Sequence, residues 1–409
     1  MRSPIPTRPG RPERTIRAAP SRAPERPRFR VVGLFAGIGG FELGLQSAGH
    51  HTELLCELEP VACHVLSARF PSVSLVHDVR DLRSLPRADV VVAGFPCQDL
   101  SQAGRTAGIR GARSSLVGEV FRLLEAARPR WLVLENVPFM LSLDQGRAMR
   151  FLTSSLERLG FDWAYRVVDT QSFGLPQRRL RVLLVASRSD DPRNVVLAND
   201  AREPPLPSAS VSAYGFYWTE GTKGLGWAVD AVPTLKGGST LGIPSPPAIW
   251  TPSARTIVTP DLRDAERLQG FPADWTAPAV VDPARRNTPR WKLVGNAVSV
   301  PVAEWLGHCL AAPGAYDASN DRPLRAGDRW PAAAWCLRGE RHVAEVSPWP
   351  VCVARPRLLD FLAFPTRDLS ARATDGFLRR AESSSLRFAP RFLAEMRAHS
   401  KRMQALRAA

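Results

Sequence analysis

The sequence is poor in the residues that cross-link a fold or hold a structural metal. Six cysteines occur in 409 residues, too few for a disulfide framework in a chain of this length. No Cys-x-x-Cys or Cys-x-x-His cluster is present, so a zinc site is not expected. We therefore expect reduced cysteines, no bound metal and a cytoplasmic protein.

Long apolar runs are missing as well. No stretch is long enough to span a bilayer, and Pro and Arg interrupt the N-terminus where a signal peptide would need an apolar core. Residues 1–29 consist mainly of Arg, Pro and Ala without a hydrophobic period. Such a segment buries too little apolar surface to offset the entropy of ordering. We expect a disordered basic tail and no membrane association.

Lysine is scarce, because it occurs only at positions 223, 236, 292 and 401. The formal net charge is nevertheless +16, so arginine supplies nearly all of the positive charge. The codons of a GC-rich genome would produce the same bias. A basic surface attracts phosphate backbones, anionic membranes and acidic proteins alike. Charge therefore favours a nucleic-acid partner without selecting it.

The apolar material that is present suffices for a large core, with 44% hydrophobic and 23% charged residues. From residue 30 onward, short apolar runs alternate with helical patterns. The runs are 30–35, 54–57, 73–76, 90–93, 131–134 and 179–186. This alternation predicts an α/β fold with a parallel sheet covered on both faces. The regularity stops after residue 187, where a stretch rich in Pro, Gly, Ser and Trp predicts a smaller, irregular second domain without a clear helix.

A glycine-rich turn, FAGIGG at 35–40, follows the first predicted strand and opens a helix. Glycines let the backbone approach a ligand closely, while helix N–H groups face its polar atoms. The spacing is not that of the dinucleotide motif, because Glu42 stands where its third glycine would be. Glu57 ends the second strand, where it can accept hydrogen bonds from ribose hydroxyls. Asp78 ends the third, within reach of an adenine amino group, so these strand ends predict an adenosine site.

The fourth strand ends in the segment GFPCQ, at 94–98. A lone cysteine is usually a small buried hydrophobic residue. Cys97, however, follows Pro96 on a predicted loop at the ligand edge and precedes the polar residues Gln98 and Ser101. This placement suits a thiolate nucleophile.

Further polar residues are predicted at the same edge. Glu135 ends the fifth strand, where the carboxyl ends of parallel strands meet. In QRRLR, at 177–181, strand alternation places Gln177, Arg179 and Arg181 on one face. Three large polar groups on a central strand need partners, which a bound anion or a catalytic acid would supply.

The ordered set FAGIGG, GFPCQ, ENVP, QRRLR, RLQGFP and GNAV resembles the motif series of the DNA cytosine-5 methyltransferases. It runs over about residues 31–310, roughly two-thirds of the chain. The resemblance implies a Rossmann-like S-adenosylmethionine-dependent methyltransferase sheet with helices on both faces. It also implies a smaller, irregular target-recognition domain. The predicted units are a catalytic domain at 30–187 completed by 289–312, a target-recognition domain at 188–288, and an extension at 313–409 whose role the sequence does not indicate.

The resemblance implies that the Cys97 thiolate adds to C6 of cytosine, so that C5 can take a methyl group from S-adenosylmethionine. Glu135 would hydrogen-bond N3 and the exocyclic amine. Arg179 would hold the base and Glu135, and Arg181 would support the Cys97 loop. The target base would be flipped out of the duplex, and Gln98 lies on the loop expected to close over it.

Cofactor contacts carry over to residues at the strand ends and in the GNAV motif. They are Phe35, Ala36, Gly37, Ile38, Gly39, Glu57, Leu58, Asp78, Val79, Gly94, Asn296 and Val298. Leu58 stands where family members often place an aromatic residue to stack on adenine.

Contacts to DNA are expected from the Cys97 loop and from the variable second domain, which would read sequence in the major groove. They are Ser101, Arg105, Thr234, Lys236, Gln269 and Gly270, with Trp250 as a further candidate. The expected partner is double-stranded DNA, bound by a monomer in the cytoplasm of a bacterium, at the nucleoid. A cognate restriction endonuclease is the usual companion of such an enzyme.

Two other functions stay open at this point. One is a transfer-RNA cytosine-5 methyltransferase of the same fold, and the other is a catalytically silent DNA-binding relative. The second would show damage at Cys97, Glu135 or Arg179, and none is visible. A nicotinamide dehydrogenase is disfavoured by the glycine spacing.

Overall fold

The computed structural model describes residues 27–95, 116–205, 213–237, 245–280 and 287–408. The strands of these ranges are β1 (Arg30–Leu34), β2 (His51–Cys56), β3 (Ser74–Val76), β4 (Val90–Ala93), β5 (Trp131–Asn136), β6 (Asp162–Asp169), β7 (Gln177–Arg178), β8 (Leu180–Ser187), β9 (Tyr214–Phe216), β10 (Trp227–Val229), β11 (Val232–Pro233), β12 (Ala248–Thr251), β13 (Thr256–Thr259), β14 (Arg322–Pro323), β15 (Ala333–Leu337), β16 (Glu340–Val343) and β17 (Arg367–Asp368).

The α-helices of the same ranges are α1 (Gly40–Ser47), α2 (Pro60–Arg69), α3 (Leu116–Ala126), α4 (Arg147–Arg158), α5 (Arg193–Val196), α6 (Leu262–Leu268), α7 (Asn287–Asn296), α8 (Val300–Ala311), α9 (Leu358–Phe361), α10 (Ala371–Glu382) and α11 (Pro390–Ala408). The single turn α5 lies in a stretch where the sequence predicts no helix, so that expectation is wrong there. None of the described helices is both long and apolar enough to cross a membrane.

The main sheet has ten strands in the order β14-β16-β15-β6-β8-β5-β4-β1-β2-β3. Strands β1 to β5 pair in parallel, as predicted. The prediction of an all-parallel sheet is wrong at β8, because β8 runs antiparallel to both β5 and β6. The chain between β6 and β8 is too short for a crossover helix, so β8 can only return in the opposite direction.

Helices cover both faces of the sheet, which confirms the predicted α/β architecture. Val31 and Val32 point to opposite faces, and both are completely buried. One face packs against α3 and α4. The other packs against α1 and α8. Burial on both faces explains why the strands read as continuous apolar runs.

Small residues let α1 and α8 approach closely. A side chain at Gly40 would collide with the carbonyl oxygen of Val298, and one at Gly44 with that of Val300. On the opposite helix, Gly307 lies against Ala48 in the same way. This contact brings the GNAV motif at 295–298 onto the glycine-rich turn, although more than 250 residues separate them in the chain.

The second domain is more regular than the sequence predicts, because it contains a five-stranded antiparallel sheet in the order β10-β9-β12-β13-β17. One face of this sheet packs against α10 and α11, where Phe377 and Phe392 meet Phe216. The other face packs against α6 and α7, around Ile249 and Trp291. Short strands broken by Gly and Pro conceal this sheet in the sequence.

The segment 313–409, predicted as an extension, belongs to both sheets. Strands β14, β16 and β15 add an antiparallel edge to the main sheet next to β6. Strand β17 pairs with β13, and α10 and α11 then cover the smaller sheet. The C-terminal quarter of the chain is therefore part of the hydrophobic core, and the sequence limits proposed for the domains stay predictions.

We expect Phe392→Ala in α11 to destabilise the protein by about 3–5 kcal/mol, because it leaves a cavity against the smaller sheet. Phe392 is 1% exposed. Leu406→Ala in the same helix is the matched control, since Leu406 is 63% exposed. Urea unfolding followed by tryptophan fluorescence measures both variants. Equal unfolding midpoints for the two would show that α11 does not cover the smaller sheet.

Candidate active site

The glycine-rich turn adopts backbone angles that favour glycine. Gly37 and Gly39 have positive φ values of 58° and 83°, and Phe35 has φ 57°, which is unusual for a residue with a side chain. The amide of Ala36 donates to the carbonyl of Cys56 at 3.0 Å and anchors the turn to the end of β2. Open space surrounds the position that a Gly37 side chain would occupy, so the turn presents bare backbone.

Glu57, at the end of β2, fixes this turn. Its carboxylate accepts hydrogen bonds from the amides of Gly37 and Glu59, both at 2.8 Å. Burial raises the pKa of Glu57, and the backbone donors oppose that effect. Each carboxylate oxygen keeps lone pairs beyond these two bonds, so Glu57 can still accept from a ligand hydroxyl.

A cavity of about 360 Å³ opens beside the turn. Its walls include five of the residues that the sequence predicts as cofactor contacts: Phe35, Glu57, Leu58, Asp78 and Val79. The Leu58 side chain is 58% exposed, unusual for a leucine, and lines the cavity as an apolar surface. The strand ends thus form one concave site.

Asp78 lines the same cavity, but its carboxylate already forms an ion pair with Arg80. The Arg80 guanidinium donates to both oxygens, with Nη2 2.6 Å from Oδ2. These hydrogen bonds lower the pKa of Asp78. An adenine amino group would therefore have to share the carboxylate with Arg80.

Glu135, at the end of β5, forms a buried ion pair with Arg181 on β8. The Glu135 Oε1 and Arg181 Nε atoms are 2.8 Å apart, and the side chains are 11% and 13% exposed. Burial lowers the pKa of Arg181, and Glu135 opposes this. A side chain at Gly94, at the end of β4, would lie 3.5 Å from Glu135. The carboxylate therefore lies beside the backbone of Gly94, three residues before Cys97 in the chain.

Arg179 is completely enclosed and bonds to backbone carbonyls. Its guanidinium donates to Leu235 at 3.1 Å, to Gly295 at 3.2 Å and to Ala297 at 2.6 Å. Burial lowers its pKa well below the ordinary value. The expectation that Arg179 holds Glu135 is wrong, because Arg181 makes that contact. The strand break between β7 and β8 turns Arg179 toward the second domain and the GNAV motif.

Gln269 does not present a surface to DNA, contrary to expectation. It is completely buried, accepts from Ser299 at 2.7 Å and donates to the carbonyl of Val294 at 2.9 Å. Gly270 has φ 87°, and a side chain there would collide with Pro301. These residues therefore fix the packing of α6 on α7 and α8, and for Gly270 a DNA contact stays a prediction.

The segment at 234–237 joins the second domain to the site. The Lys236 amine pairs with Glu220 and lies 4.3 Å from the centre of the Tyr217 ring. The Thr234 hydroxyl donates to the carbonyl of Arg178 at 3.0 Å. The DNA contacts expected of Thr234 and Lys236 stay predictions. Trp250 does not suit a DNA contact, because it is buried and donates a hydrogen bond to Glu395 at 2.7 Å.

The GNAV motif packs against the start of α1, next to the glycine-rich turn. Asn296 is exposed at the end of α7, and the carbonyl of Val298 lies against Gly40. One turn before Asn296, Lys292 pairs with Glu59 of the cavity wall at 2.5 Å. This ion pair joins α7 to the cavity and has no signal in the sequence.

Glu42 lies in the first turn of α1 and is buried. The sequence analysis considered it only as the residue that replaces the third glycine of the dinucleotide motif. It lies against Gly33, where any side chain would collide with its carboxyl group. Apart from its own backbone, neither oxygen has a hydrogen-bond partner among the described residues. Burial raises the pKa of Glu42 to about 7, and Glu57 adds to this. A glutamate on the apolar face of α1 is the signal that could have identified it.

Cys97, Gln98, Ser101 and Arg105 fall between residues 96 and 115, outside the described residues. Ile38 packs in a core cluster with α2, and Gly39 lies under Phe70. Among the described ranges, no group of His, Cys, Asp and Glu could hold a metal ion.

Comparison with known proteins identifies the family. The model of the C-5 cytosine-specific DNA methylase family matches residues 29–215. The chain is 49% identical over 363 residues to the type II methyltransferase M2.BsuMI of Bacillus subtilis, covering 86% of this chain and 93% of the relative. It is 29% identical to the type II methyltransferase M.HaeII of Haemophilus aegyptius, over 67% of this chain and 90% of that one.

Among solved structures, the Dnmt2 methyltransferase of S. pombe aligns with 69% of this chain and 98% of its own length. The TM-score is 0.49 and the identity 15%, a likeness too weak to distinguish functions. The long match to M2.BsuMI is decisive: the chain belongs to the C-5 cytosine-specific DNA methylase family. It is a DNA cytosine-5 methyltransferase.

We expect Glu42→Gln to remove a pH dependence of stability. In the folded protein the pKa of Glu42 is about 7, against an ordinary value of 4.5, so the folded state holds a proton that the unfolded chain releases. Wild-type stability therefore falls as pH rises from about 4.5 to 7. The variant should gain up to about 3 kcal/mol over the wild type above that window.

Urea unfolding at pH 5, 6, 7 and 8 measures this difference. Glu125→Gln, on the exposed face of α3, is the matched control and should follow the wild type at every pH. A constant difference between Glu42→Gln and the wild type would mean that Glu42 does not titrate in this range.

Proposed function

We propose that the protein transfers a methyl group from S-adenosylmethionine to C5 of a flipped-out cytosine in a specific duplex DNA sequence, through a covalent bond between Cys97 and C6. The observation that carries this proposal is the buried Glu135–Arg181 pair. It lies beside the strand end that leads to Cys97 and close to the turn and cavity that suit an adenosyl group.

The residues of the cavity fit S-adenosylmethionine. Bare backbone at Gly37 leaves room for the methionine end, and Glu57 can accept from ribose hydroxyls. The exposed side chain of Leu58 offers apolar packing to the adenine ring. Asn296 and Val298 would close the methionine end from the opposite side. When bound, the cofactor supplies an electrophilic methyl group.

Cys97 begins the reaction, because cytosine C5 is a poor nucleophile until C6 carries an electron-donating substituent. The thiolate forms a bond to C6, and the displaced electron pair moves through the ring. Glu135 hydrogen-bonds N3 and the exocyclic amine, so that negative charge developing on the ring is stabilised. Once C5 has gained its methyl group, loss of the C5 proton breaks the bond to Cys97 and restores aromaticity.

Arg181 and Arg179 act through other groups. Arg181 holds the Glu135 carboxylate at 2.8 Å and excludes rotamers that would turn it from the base. Arg179 fixes the backbone of the 234–237 segment against the GNAV motif. Gln98 belongs to the loop proposed to close over the flipped nucleotide.

The biological setting that the relatives support is a restriction-modification system. M2.BsuMI and M.HaeII are both named type II methyltransferases. We infer that this protein is a modification methyltransferase acting on double-stranded DNA in the bacterial cytoplasm, at the nucleoid, as a monomer. A cognate restriction endonuclease would recognise the same sequence.

Cys97→Ala should abolish transfer of radiolabelled methyl groups to duplex DNA while DNA binding persists. The wild type, but not this variant, should form a denaturation-resistant adduct with target DNA containing 5-fluorocytosine, because fluorine prevents loss of a proton from C5. Cys352→Ala, at an exposed cysteine, is the matched control and should behave as the wild type. Methylation by Cys97→Ala would exclude the covalent mechanism, and preferential labelling of transfer RNA would exclude DNA as the substrate.

Arg181→Gln should lower kcat for methyl transfer by about 100-fold or more, because Glu135 loses the charge that holds it. Binding of S-adenosylmethionine should change little, since Arg181 is not part of the cavity wall. Arg178→Gln changes an exposed arginine three positions earlier in the chain. It is the matched control and should retain activity. Single-turnover assays measure the rate of methyl transfer, and calorimetric titration measures the binding of S-adenosylmethionine. Equal kcat in the two variants would contradict the positioning role of Arg181.

A further inference from the structure

The outer side of the C-terminal helix pair α10 and α11 carries a shallow groove of about 430 Å³. Three arginines line it, Arg372 and Arg379 on α10 and Arg407 near the end of α11. We call these three side chains with their cavity the arginine groove. Apolar residues on the opposite side of both helices are buried against the smaller sheet, so the groove faces outward.

Among the residues that the structure describes, the groove arginines differ from the other arginines of the two helices in having no partner. Arg397 pairs with Glu382 at 2.9 Å, Arg391 with Glu395 at 2.8 Å and Arg402 with Asp368 at 3.2 Å. Within the part of the chain that the structure describes, the side chains of Arg372, Arg379 and Arg407 neither pair with an acid nor donate a hydrogen bond. Unpaired like charges repel each other, which favours an external anion.

The acid that lines the groove, Asp375, is already engaged. Its two carboxylate oxygens accept from the Ser400 hydroxyl and, at 3.1 Å, from the side-chain amide of Gln404. Asp375 therefore links α10 to α11 and compensates only one of three positive charges. The groove keeps a net positive charge and five donors on each guanidinium.

A chain of contacts connects α10 to the segment that joins the second domain to the active site. Arg380, next to Arg379, donates to the carbonyls of Glu220, at 3.1 Å, and Trp218. Glu220 in turn pairs with Lys236. Along α10, Arg372 and Arg379 are seven positions apart, which corresponds to about 10 Å at about 1.5 Å per residue. That length corresponds to about three steps of one DNA strand.

We propose that the arginine groove binds the phosphate backbone of the substrate duplex on the flank of the recognised sequence. The inference rests on the proposed action on double-stranded DNA and adds a contact surface to it. Planar guanidinium groups suit bidentate phosphate binding. Phosphate contacts carry no sequence information but fix the position of the duplex, so the groove contributes affinity and orientation.

The test compares two triple variants in a salt titration of DNA affinity. R372Q/R379Q/R407Q removes the groove charges, and R391Q/R397Q/R402Q removes the same charge from paired positions on the same helices. Both are measured by fluorescence anisotropy on a long duplex with flanks and on a short duplex limited to the recognised site. Thermal unfolding verifies that each variant is folded.

The groove variant should bind the long duplex more weakly, and the slope of log affinity against log salt should fall by up to about 2.7, since each phosphate contact contributes about 0.9. Its affinity for the short duplex and its kcat at saturating DNA should match the wild type. The paired-arginine variant should show much smaller changes on both duplexes.

An equal slope change in both variants would overturn the proposal, because overall charge would then explain the result. An unchanged slope in the groove variant would overturn it as well. If the wild type alone then bound phosphatidylserine vesicles, a membrane surface would replace DNA as the ligand. Failure of the wild type to methylate DNA would instead contradict the proposed function, so the two failures are distinguishable.

Discussion

The buried guanidinium of Arg179 holds the site together. Its hydrogen bonds to the carbonyls of Leu235, Gly295 and Ala297 join the second domain, the GNAV motif and the central sheet at one point. A buried charge is costly unless such acceptors surround it. The geometry is therefore tightly constrained, and a shift of either segment would leave carbonyls and guanidinium without partners. The DNA recognition and the cofactor binding that we propose for these two parts would share this one constraint.

The neighbouring contacts extend the same arrangement to the glycine-rich turn. Close packing at Gly40 and Gly44 brings the start of α8 onto the glycine-rich turn. On the other side, Glu57 holds the turn through the amide of Gly37. Glu42, buried beneath this turn, costs stability when ionised. The chain tolerates that cost where the backbone is held in unusual conformations, which is common near ligand sites.

The last quarter of the chain contributes both to the hydrophobic core and to the basic surface. Strands β14 to β16 close one edge of the main sheet, and α10 and α11 cover the smaller sheet with their apolar faces. The same two helices carry arginines that pair with acids and, in the groove, arginines without an acidic partner among the described residues. One segment therefore stabilises the second domain and extends its basic surface, which explains why the sequence pattern there is amphipathic and basic.

The sequence by itself determined the fold class, the six motifs and the strand ends at which Glu57, Asp78 and Glu135 lie. These follow from local patterns, because apolar runs specify strands and glycines specify the turn. Only the tertiary structure decided that Arg181 meets Glu135, that Arg179 faces Leu235, and that Gln269 is buried. The reversed direction of β8 and the integration of the C-terminal segment were also decided there. Such choices depend on strand register and on contacts between residues far apart in the chain, which no local pattern encodes.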